Sequence, residues 1–303
     1  MQIETKTQVE TIVFIAVYSK DHCLGMRDIL ESLRVYCPQE SFHIFLINTS
    51  SHQEVKCILE TLVKEYKDLT ISLSKDACTN DRGEFYYLVS KYMQLALDNY
   101  QFKSFLKMDP DALITGFGLL YDINTYFADT PAAGSLGSYK YNCQYQRRDF
   151  RNWEPVFAKE GRIWRKYLKQ MQGSNYIIGE HAQGGVEVYS YACIERFHQQ
   201  KLLMADEFRS SKVIVDVLLS FLVRFSGFEI HSFVDDGYPF AIAYQGMPMS
   251  IFKIREKNKK IIHSLKFSWR ERLIRQVFAV LRWIDFKRMK KMFNPVLNLK
   301  RIS

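Results

Sequence analysis

Apolar runs and helical patterns alternate along the first third of the chain. Continuous runs of apolar, β-branched residues are typical of strands buried on both faces of a parallel sheet. Segments with apolar residues three or four positions apart predict helices between them. The predicted elements are strand 11–18, helix 26–36, strand 42–48, helix 53–66, strand 70–73, helix 84–99 and strand 102–108. This alternation predicts parallel βαβ units, and therefore an α/β fold with a Rossmann-like sheet flanked by helices.

The second half of the chain is less regular. Segment 132–138 predicts a strand or a turn, and segment 139–171, rich in Arg, Trp and Tyr, predicts a partly helical insertion. Helical patterns recur at 186–199, 213–226 and 268–293. No internal repeat relates this half to the first.

The formal net charge of +9 is unevenly distributed. Residues 251–303 hold 16 Lys and Arg against 3 Asp and Glu, whereas the preceding residues hold 26 against 30. The basic character therefore belongs to the C-terminal segment, and we expect no nucleic-acid partner for the protein as a whole. No run of 18 apolar residues predicts a transmembrane helix, and we expect no signal peptide.

The six cysteines are scattered singly, with no C-x-x-C pair and no short metal-type spacing: Cys23, Cys37, Cys57, Cys78, Cys143 and Cys193. We interpret them as reduced thiols of a cytoplasmic protein, with disulfides as the alternative.

Asp109-Pro110-Asp111 follows the fourth predicted strand directly. Residues i and i+2 of a strand share a face, so both carboxylates can point at one ligand. The carboxyl end of a buried parallel strand is where open α/β sheets bind ligands. Two carboxylates there suit a hard divalent cation that also holds phosphate oxygens. The alternative is a surface turn.

These residues resemble the D-x-D motif of glycosyltransferases of the GT-A fold, which hold Mn²⁺ or Mg²⁺ against the diphosphate of a nucleotide sugar. Helix 85–97 followed by FLKMDPDALI is similar to the Fringe and β-galactosyltransferase pattern, with Lys91 matching a helix lysine. Fringe-type enzymes usually show three consecutive acids, whereas Pro110 takes the middle place here. The resemblance implies a GT-A type, Rossmann-like central mixed sheet flanked by helices.

The resemblance also implies where the nucleoside lies. Its contacts are expected at the end of the first strand and in the loop after the third. These positions are Val17, Tyr18, Ser19, Asp76, Asn80, Asp81 and Arg82. Short polar loops also contain such residues by default.

Gly184-Gly185 precedes segment 186–199, which carries a helical pattern. Two glycines let the backbone approach a ligand closely, and a helix start presents free N–H groups to anions. The stretch AQGGVEVYSYACIERF resembles the Gly-Gly segment that lies beside donor sugar and acceptor in the same enzymes. The alternative is a tight strand-to-helix turn.

His263 and Lys266 lie close to the C-terminal end of the region that resembles these enzymes. A lone histidine is more often structural than a ligand. Many GT-A enzymes, however, use a C-terminal histidine to complete the metal site and a nearby lysine to bind the diphosphate. An imidazole with two carboxylates suits Mn²⁺ better than Ca²⁺. The resemblance therefore implies the metal ligands Asp109, Asp111 and His263.

Asp216 begins an apolar helical segment, where it could simply interact with the helix N-terminus. In the Fringe-like group an acid pair before a short apolar helix supplies the catalytic base, but here Val215 takes the place of the first acid. We expect Asp216 to act as base, which implies inversion at the anomeric carbon. Asp235-Asp236 and Glu180 are the rivals, and without such a base a retaining mechanism is favoured.

The C-terminal segment predicts a basic amphipathic helix. Leu273, Val277, Leu281 and Ile284 recur at helical spacing, widened by Phe278, Val280 and Trp283. A helix of this kind can lie in an anionic membrane interface, so we expect peripheral membrane association. The alternatives are docking on the catalytic domain and burial of the apolar face in a homodimer.

The sequence as a whole predicts a metal-dependent glycosyltransferase of polysaccharide biosynthesis. Residues 1–111 would form a nucleotide-binding half, 112–266 an acceptor half, and 267–303 the C-terminal helix. The expected donor is a UDP-sugar and the expected acceptor a glycan or lipid-linked glycan. A nucleotidyltransferase or phosphohydrolase, or a non-catalytic membrane or nucleic-acid binder, are the alternatives. Phosphate-loop and G-x-G-x-x-G motifs are missing from the sequence, which disfavours ATPases and NAD enzymes.

Overall fold

The computed structural model describes residues 6–38, 40–77, 82–142 and 146–299, with side chains up to 291. The strands are β1 (Thr7–Gln8), β2 (Thr11–Val17), β3 (Phe42–Asn48), β4 (Ile71–Lys75), β5 (Tyr100–Gln101), β6 (Ser104–Met108), β7 (Leu113–Ile114), β8 (Ala133–Ser138), β9 (Gln183–Ser190), β10 (Glu229–Ser232), β11 (Phe240–Ile242) and β12 (Ile261–His263). The helices are α1 (Lys20–Tyr36), α2 (Gln53–Glu65), α3 (Arg82–Asn99), α4 (Leu119–Asp129), α5 (Glu154–Lys159), α6 (Gly161–Gln170), α7 (Tyr191–Gln199), α8 (Asp206–Arg209), α9 (Val215–Phe225), α10 (Ile251–Glu256) and α11 (Trp269–Leu299).

A seven-stranded sheet in the order β10-β8-β9-β6-β2-β3-β4 forms the centre of the fold. Strand β9 runs antiparallel to both of its neighbours, while the other strands are parallel to one another. Two small sheets accompany it, one of β1 and β5 and one in the order β11-β12-β7. The predicted α/β fold with a central mixed sheet is therefore confirmed.

Helices cover both faces of the sheet, and β2 shows why its sequence is apolar throughout. Ile12 and Phe14 pack into a core with helices α3 and α9, whereas Val13 and Ile15 pack into a core with helices α1, α2 and α4. Alternate residues of a strand point to opposite faces, so a strand covered on both sides needs apolar residues at every position.

The helix predicted over 186–199 is wrong in its first part. Residues 183–190 form β9, between β6 and β8, and helix α7 begins only at Tyr191. Val186 and Tyr189 have the i, i+3 spacing of one helix face, but in the strand they enter different cores. Pairing with a strand on each side outweighs the local helical pattern. The two glycines therefore lie in a strand and provide no helix N-terminus for an anion.

Helix α1 begins earlier than its apolar spacing predicts. It starts at Lys20 instead of Met26, because the Ser19 side chain accepts a hydrogen bond from the His22 backbone N–H and caps the first turn. The extension brings the polar first turn of α1 next to the end of β2.

The predicted C-terminal helix is present as α11 and packs against the domain through the buried Phe278 and through charged groups. Asp285 accepts hydrogen bonds from both terminal nitrogens of Arg255, each at 2.9 Å, and from the Tyr36 hydroxyl at 3.0 Å. Burial opposes ionisation of Asp285, but these bonds outweigh it and lower the pKa of the carboxyl. Arg275 and Arg282 reach Asp28 on α1. Within the described residues, no helix is both long and apolar enough to cross a membrane.

The described cysteines Cys23, Cys37, Cys57 and Cys193 are free thiols, as expected. Cys78 and Cys143 lie outside the described residues.

Candidate metal centre

Asp109, Asp111 and His263 lie together at the carboxyl end of β6. One potential ligand atom from each residue lies within 4.8 Å of the corresponding atoms of the other two. The Nε2 atom of His263 is 3.1 Å from Oδ1 of Asp111. The structure thus brings together the three residues that the sequence assigns to a metal site, although 152 positions separate Asp111 from His263.

Backbone hydrogen bonds hold the Asp109–Asp111 turn from both sides. The Asp109 N–H donates to the Gly185 carbonyl of β9 at 2.8 Å, and the Leu265 N–H donates to the Asp111 carbonyl at 2.8 Å. Helix α1 packs closely on the same turn, because a Cβ at Gly25 would overlap the Pro110 carbonyl oxygen. The two carboxylates are therefore positioned by three separate parts of the chain.

The His263 ring is oriented as a metal ligand. Its Nδ1 is 3.1 Å from the Ala243 carbonyl oxygen. An N–H at Nδ1 that donates to that carbonyl is the usual second contact of a ligating histidine. It leaves the Nε2 lone pair facing the carboxylates. Burial lowers the pKa of His263, but Asp111 and Asp109 outweigh this effect and raise it. Burial raises the pKa of Asp111, and the contact with His263 brings it below its usual value.

These donors fit a divalent cation. Two carboxylates and one imidazole converge within 4.8 Å. Mn²⁺ and Mg²⁺ both prefer oxygen ligands such as the two carboxylates, and the imidazole favours Mn²⁺ of the two. The residues Asp109, Asp111 and His263 would hold such an ion.

The two glycines of β9 leave room for groups from elsewhere in the chain. A Cβ at Gly185 would overlap the His263 ring, and the φ of +97° at Gly185 is strained for any residue with a Cβ. A Cβ at Gly184 would overlap the Asp216 carboxylate. The Gly-Gly pair is thus required by the packing of His263 and Asp216.

Asp216 lies in the first turn of α9 and joins a buried ionic cluster. Its Oδ1 is 3.1 Å from Nζ of Lys107, and the same Nζ is 3.0 Å from Oε2 of Glu187. Burial opposes ionisation of Asp216, but Lys107 and His181 outweigh it and lower its pKa. Asp216 is therefore an ionised carboxylate with one oxygen bound to an ammonium group.

Two of the rival carboxylates are engaged elsewhere. Glu180 is 2% exposed, pairs with Arg224 at 2.9 Å and accepts a hydrogen bond from the Tyr139 hydroxyl. Asp236 is largely exposed and pairs with Lys257. Asp216, in contrast, lies against the Gly-Gly segment.

The expected nucleoside contacts occupy the same edge of the sheet. Val17 is buried at the end of β2, and Tyr18 beside it is half exposed. Partial burial, with smaller contributions from the charges of Asp109 and Asp111, raises the pKa of Tyr18. Lys266 is exposed, three residues after His263.

Asp76 follows β4 and binds Lys91 at 2.5 Å and the Tyr92 hydroxyl at 2.5 Å. Lys91 is thus oriented by the carboxylate of Asp76, another of the expected nucleoside contacts. Arg82 donates to the Lys212 carbonyl at 2.9 Å. Asn80 and Asp81 lie outside the described residues.

Sequence analysis missed His22, on the first turn of α1. Its ring lies against Tyr18, with centroids 3.8 Å apart, and its buried Nδ1 makes no hydrogen bond within the described residues. Burial lowers the pKa of His22, and Asp109 and Asp111 oppose this effect only in part. The Ser19 helix cap is the signal that could have placed His22 at the site.

In sequence, no protein-family model and no curated protein matches the chain. Among solved structures, a mannosyltransferase from Pyrobaculum calidifontis in complex with GDP-Man and Mn²⁺ is similar over 74% of this chain and 55% of its own, with 12% identity and a TM-score of 0.44. Mouse xyloside xylosyltransferase 1 is similar over 85% of this chain and 98% of its own, with 10% identity and a TM-score of 0.46.

The galactosyltransferase LgtC, in complex with donor and acceptor sugar analogues, is similar over 89% of this chain and 95% of its own, with 11% identity and a TM-score of 0.48. This chain spans about half the length of the mannosyltransferase. Identities this low and TM-scores below 0.5 assign no activity, so function has to be argued from the site itself.

We predict that Asp111→Asn and Gly185→Ala each weaken Mn²⁺ binding by about tenfold or more. The first removes a charged ligand, and the second places a methyl group where the His263 ring lies. Titration of free Mn²⁺ by electron paramagnetic resonance measures the affinity.

Matched controls are Asp98→Asn, an exposed helix carboxylate, and Gly161→Ala, where a Cβ would meet only the end of the Arg165 side chain at 4.0 Å. Both should bind Mn²⁺ like the unmodified protein. Normal Mn²⁺ binding by Gly185→Ala would contradict the assignment of His263 as a ligand.

Proposed function

We propose that this protein is a Mn²⁺-dependent glycosyltransferase of the GT-A fold that uses a nucleoside-diphosphate sugar as donor. The observation that carries the proposal is the convergence of Asp109, Asp111 and His263 at the carboxyl edge of a mainly parallel sheet. A cation held there supplies positive charge for the two phosphates of the donor. We further propose that it resembles the Fringe-like group of these enzymes. The order of its motifs along the chain supports this: Lys91, Asp109-Pro110-Asp111, Gly184-Gly185 and Asp216.

The residues around this cluster have separate proposed roles. Lys266 binds the diphosphate, because it is an exposed cation close to His263. Val17, Tyr18, Asp76, Arg82 and Lys91 bind the nucleoside, for which we propose uridine. Gly184 and Gly185 of β9 lie between the metal ligands and Asp216, and we propose that the sugar is transferred beside them.

Asp216 is the proposed base of an inverting transfer. Its lowered pKa keeps the carboxylate deprotonated at neutral pH, so that it can accept the proton of an acceptor hydroxyl. Glu180 is bound by Arg224 and Tyr139, which leaves it poorly suited to this role.

We propose that residues 1–111 bind the nucleotide of the donor and that residues 112–266 bind the acceptor. Strands β8, β9 and β10 of the second half complete the same sheet as the strands of the first. The acceptor we propose is a glycan or a lipid-linked glycan, as in polysaccharide biosynthesis.

We predict that UDP binds in the presence of Mn²⁺ and that Asp109→Asn abolishes this binding, because the diphosphate loses its metal-mediated contact. Calorimetric titration with UDP and GDP, each with and without Mn²⁺, measures it. Asp98→Asn is the control. Binding of GDP instead of UDP would change the proposed donor from a UDP-sugar to a GDP-sugar. Binding of neither nucleotide by the folded protein would contradict the proposal.

The exposed face of α11 supports a membrane partner. Trp269, Leu273, Val277, Val280 and Trp283 are 44–68% exposed and recur along one side of the helix, while Phe278 on the opposite side is buried. Exposed basic residues follow this stripe: Lys287, Arg288, Lys290 and Lys291. An apolar stripe about 21 Å long beside positive charge fits the surface of an anionic bilayer. We propose peripheral association with the cytoplasmic face of a membrane.

We predict that the protein co-sediments with vesicles containing anionic lipid and that Trp269→Ser with Trp283→Ser lowers the bound fraction roughly tenfold. The reason is the loss of two exposed indole rings from the apolar stripe. Tyr121→Ser, which removes an exposed aromatic ring on α4, is the control. Unchanged vesicle binding would contradict the proposal, and concentration-dependent self-association without vesicle binding would assign the stripe to a homodimer.

A further inference from the structure

A buried ionic cluster lies beside the metal site, formed by Lys107, Glu187 and Asp216. The side chains of Lys107 and Glu187 are 2% and 0% exposed, and that of Asp216 is 17% exposed. One ammonium nitrogen contacts both carboxylates, at 3.0 and 3.1 Å. A buried cation paired with two carboxylates is an uncommon and costly arrangement, so its location beside the site calls for an explanation.

The strand register connects this cluster to the metal ligands. Lys107 and Asp109 share a face of β6, and Glu187 lies directly opposite Lys107 on β9. Two residues along, Gly185 accepts the backbone hydrogen bond of Asp109. Asp216 enters from the first turn of α9 and touches Gly184. The cluster therefore continues the face on which the metal ligands lie.

Two carboxylates and one ammonium group leave the cluster itself with one negative charge more than it can neutralise, while Arg148 acts on both carboxylates from outside it. Two carboxylates that share one ammonium group away from water do not both ionise readily, and one of them retains a proton. Oε2 of Glu187 contacts Lys107, whereas its Oε1 is buried without a hydrogen-bond partner among the described residues. The proton state of this pair thus follows from how each carboxylate is surrounded.

Asp216 is better placed to carry the charge. The N-terminal turn of α9 and Lys107 favour its ionised form, and its side chain is less deeply buried than that of Glu187. Glu187 is fully buried, with Tyr189 and Asp216 beside it and Lys107 as its cation. Burial raises the pKa of Glu187 despite the opposing effect of Lys107.

We propose that Lys107 and a protonated Glu187 are positioning residues that hold Asp216 as an oriented, ionised carboxylate beside Gly184. This inference rests on the proposed function. In the transfer, the acceptor oxygen forms a bond to the anomeric carbon while the bond between the anomeric carbon and the diphosphate oxygen breaks. The acceptor proton passes to Asp216, and the nucleoside diphosphate leaves. Lys107 and Glu187 touch neither substrate nor metal and act through Asp216 alone.

The double variant Lys107→Met with Glu187→Met tests the positioning role. The single change Lys107→Met strands two carboxylates in the core and is expected to destabilise the fold strongly. Replacing both residues removes the ammonium group together with Glu187 and leaves the partly exposed Asp216 as the one carboxylate of the cluster. The expected result is a kcat about tenfold or more below that of the unmodified protein, with KM for the donor and Mn²⁺-dependent nucleotide binding unchanged. Lys103→Met, an exposed lysine just before β6, is the matched control and should change nothing.

Infrared spectroscopy tests the proton on Glu187 without any need for turnover. At neutral pH the unmodified protein should show the carbonyl band of a protonated carboxylic acid. Glu187→Gln should remove that band while its denaturation midpoint stays equal to that of the unmodified protein. Absence of the band, or parallel loss of nucleotide binding and kcat in the double variant, would overturn the inference. If the unmodified protein turns over no nucleotide sugar, the proposed function fails, whereas the infrared result still decides the state of the cluster.

Discussion

The pairing of β6 with the antiparallel strand β9 brings the metal ligands and Asp216 together in the candidate site. Because β9 runs against its neighbours, its first residues, Gly184 and Gly185, meet the last residues of β6. The second half of the chain thereby reaches the carboxyl edge of the parallel strands, where Asp109 and Asp111 lie. His263 and Asp216 then fill the spaces that the two glycines leave. A single strand pair thus joins the metal ligands to the buried ionic cluster.

Several features of the site follow from the sequence alone because their causes are local. Strand β3 has the predicted bounds, and β2 differs from its predicted bounds by one residue, since an uninterrupted β-branched run has few alternatives in an α/β fold. The Asp109-Pro110-Asp111 turn was correctly expected at the end of a strand. His263 was found through a resemblance, because nothing in its own neighbourhood indicates that β12 lies beside β7.

Other features depend on pairing between distant residues and could not be predicted from the sequence. Strand β9 carries a spacing that also fits a helix, and only its place between β6 and β8 decides the outcome. Lys107 and Glu187 are separated by 80 positions, so their ion pair becomes visible only once the register of β6 and β9 is known. The same holds for α11, which docks through Asp285 and the buried Phe278 while its apolar stripe stays exposed.

The most direct measurement of the central claim is the identity of the product released from nucleotide sugars with Mn²⁺ present. The protein is incubated with UDP- and GDP-sugars, with and without added glycan acceptors, and the nucleotide product is identified by chromatography. We predict Mn²⁺-dependent release of the nucleoside diphosphate, which Asp111→Asn abolishes and Asp98→Asn leaves intact. Release of a nucleoside monophosphate would contradict the account and assign the site to phosphohydrolysis instead of glycosyl transfer.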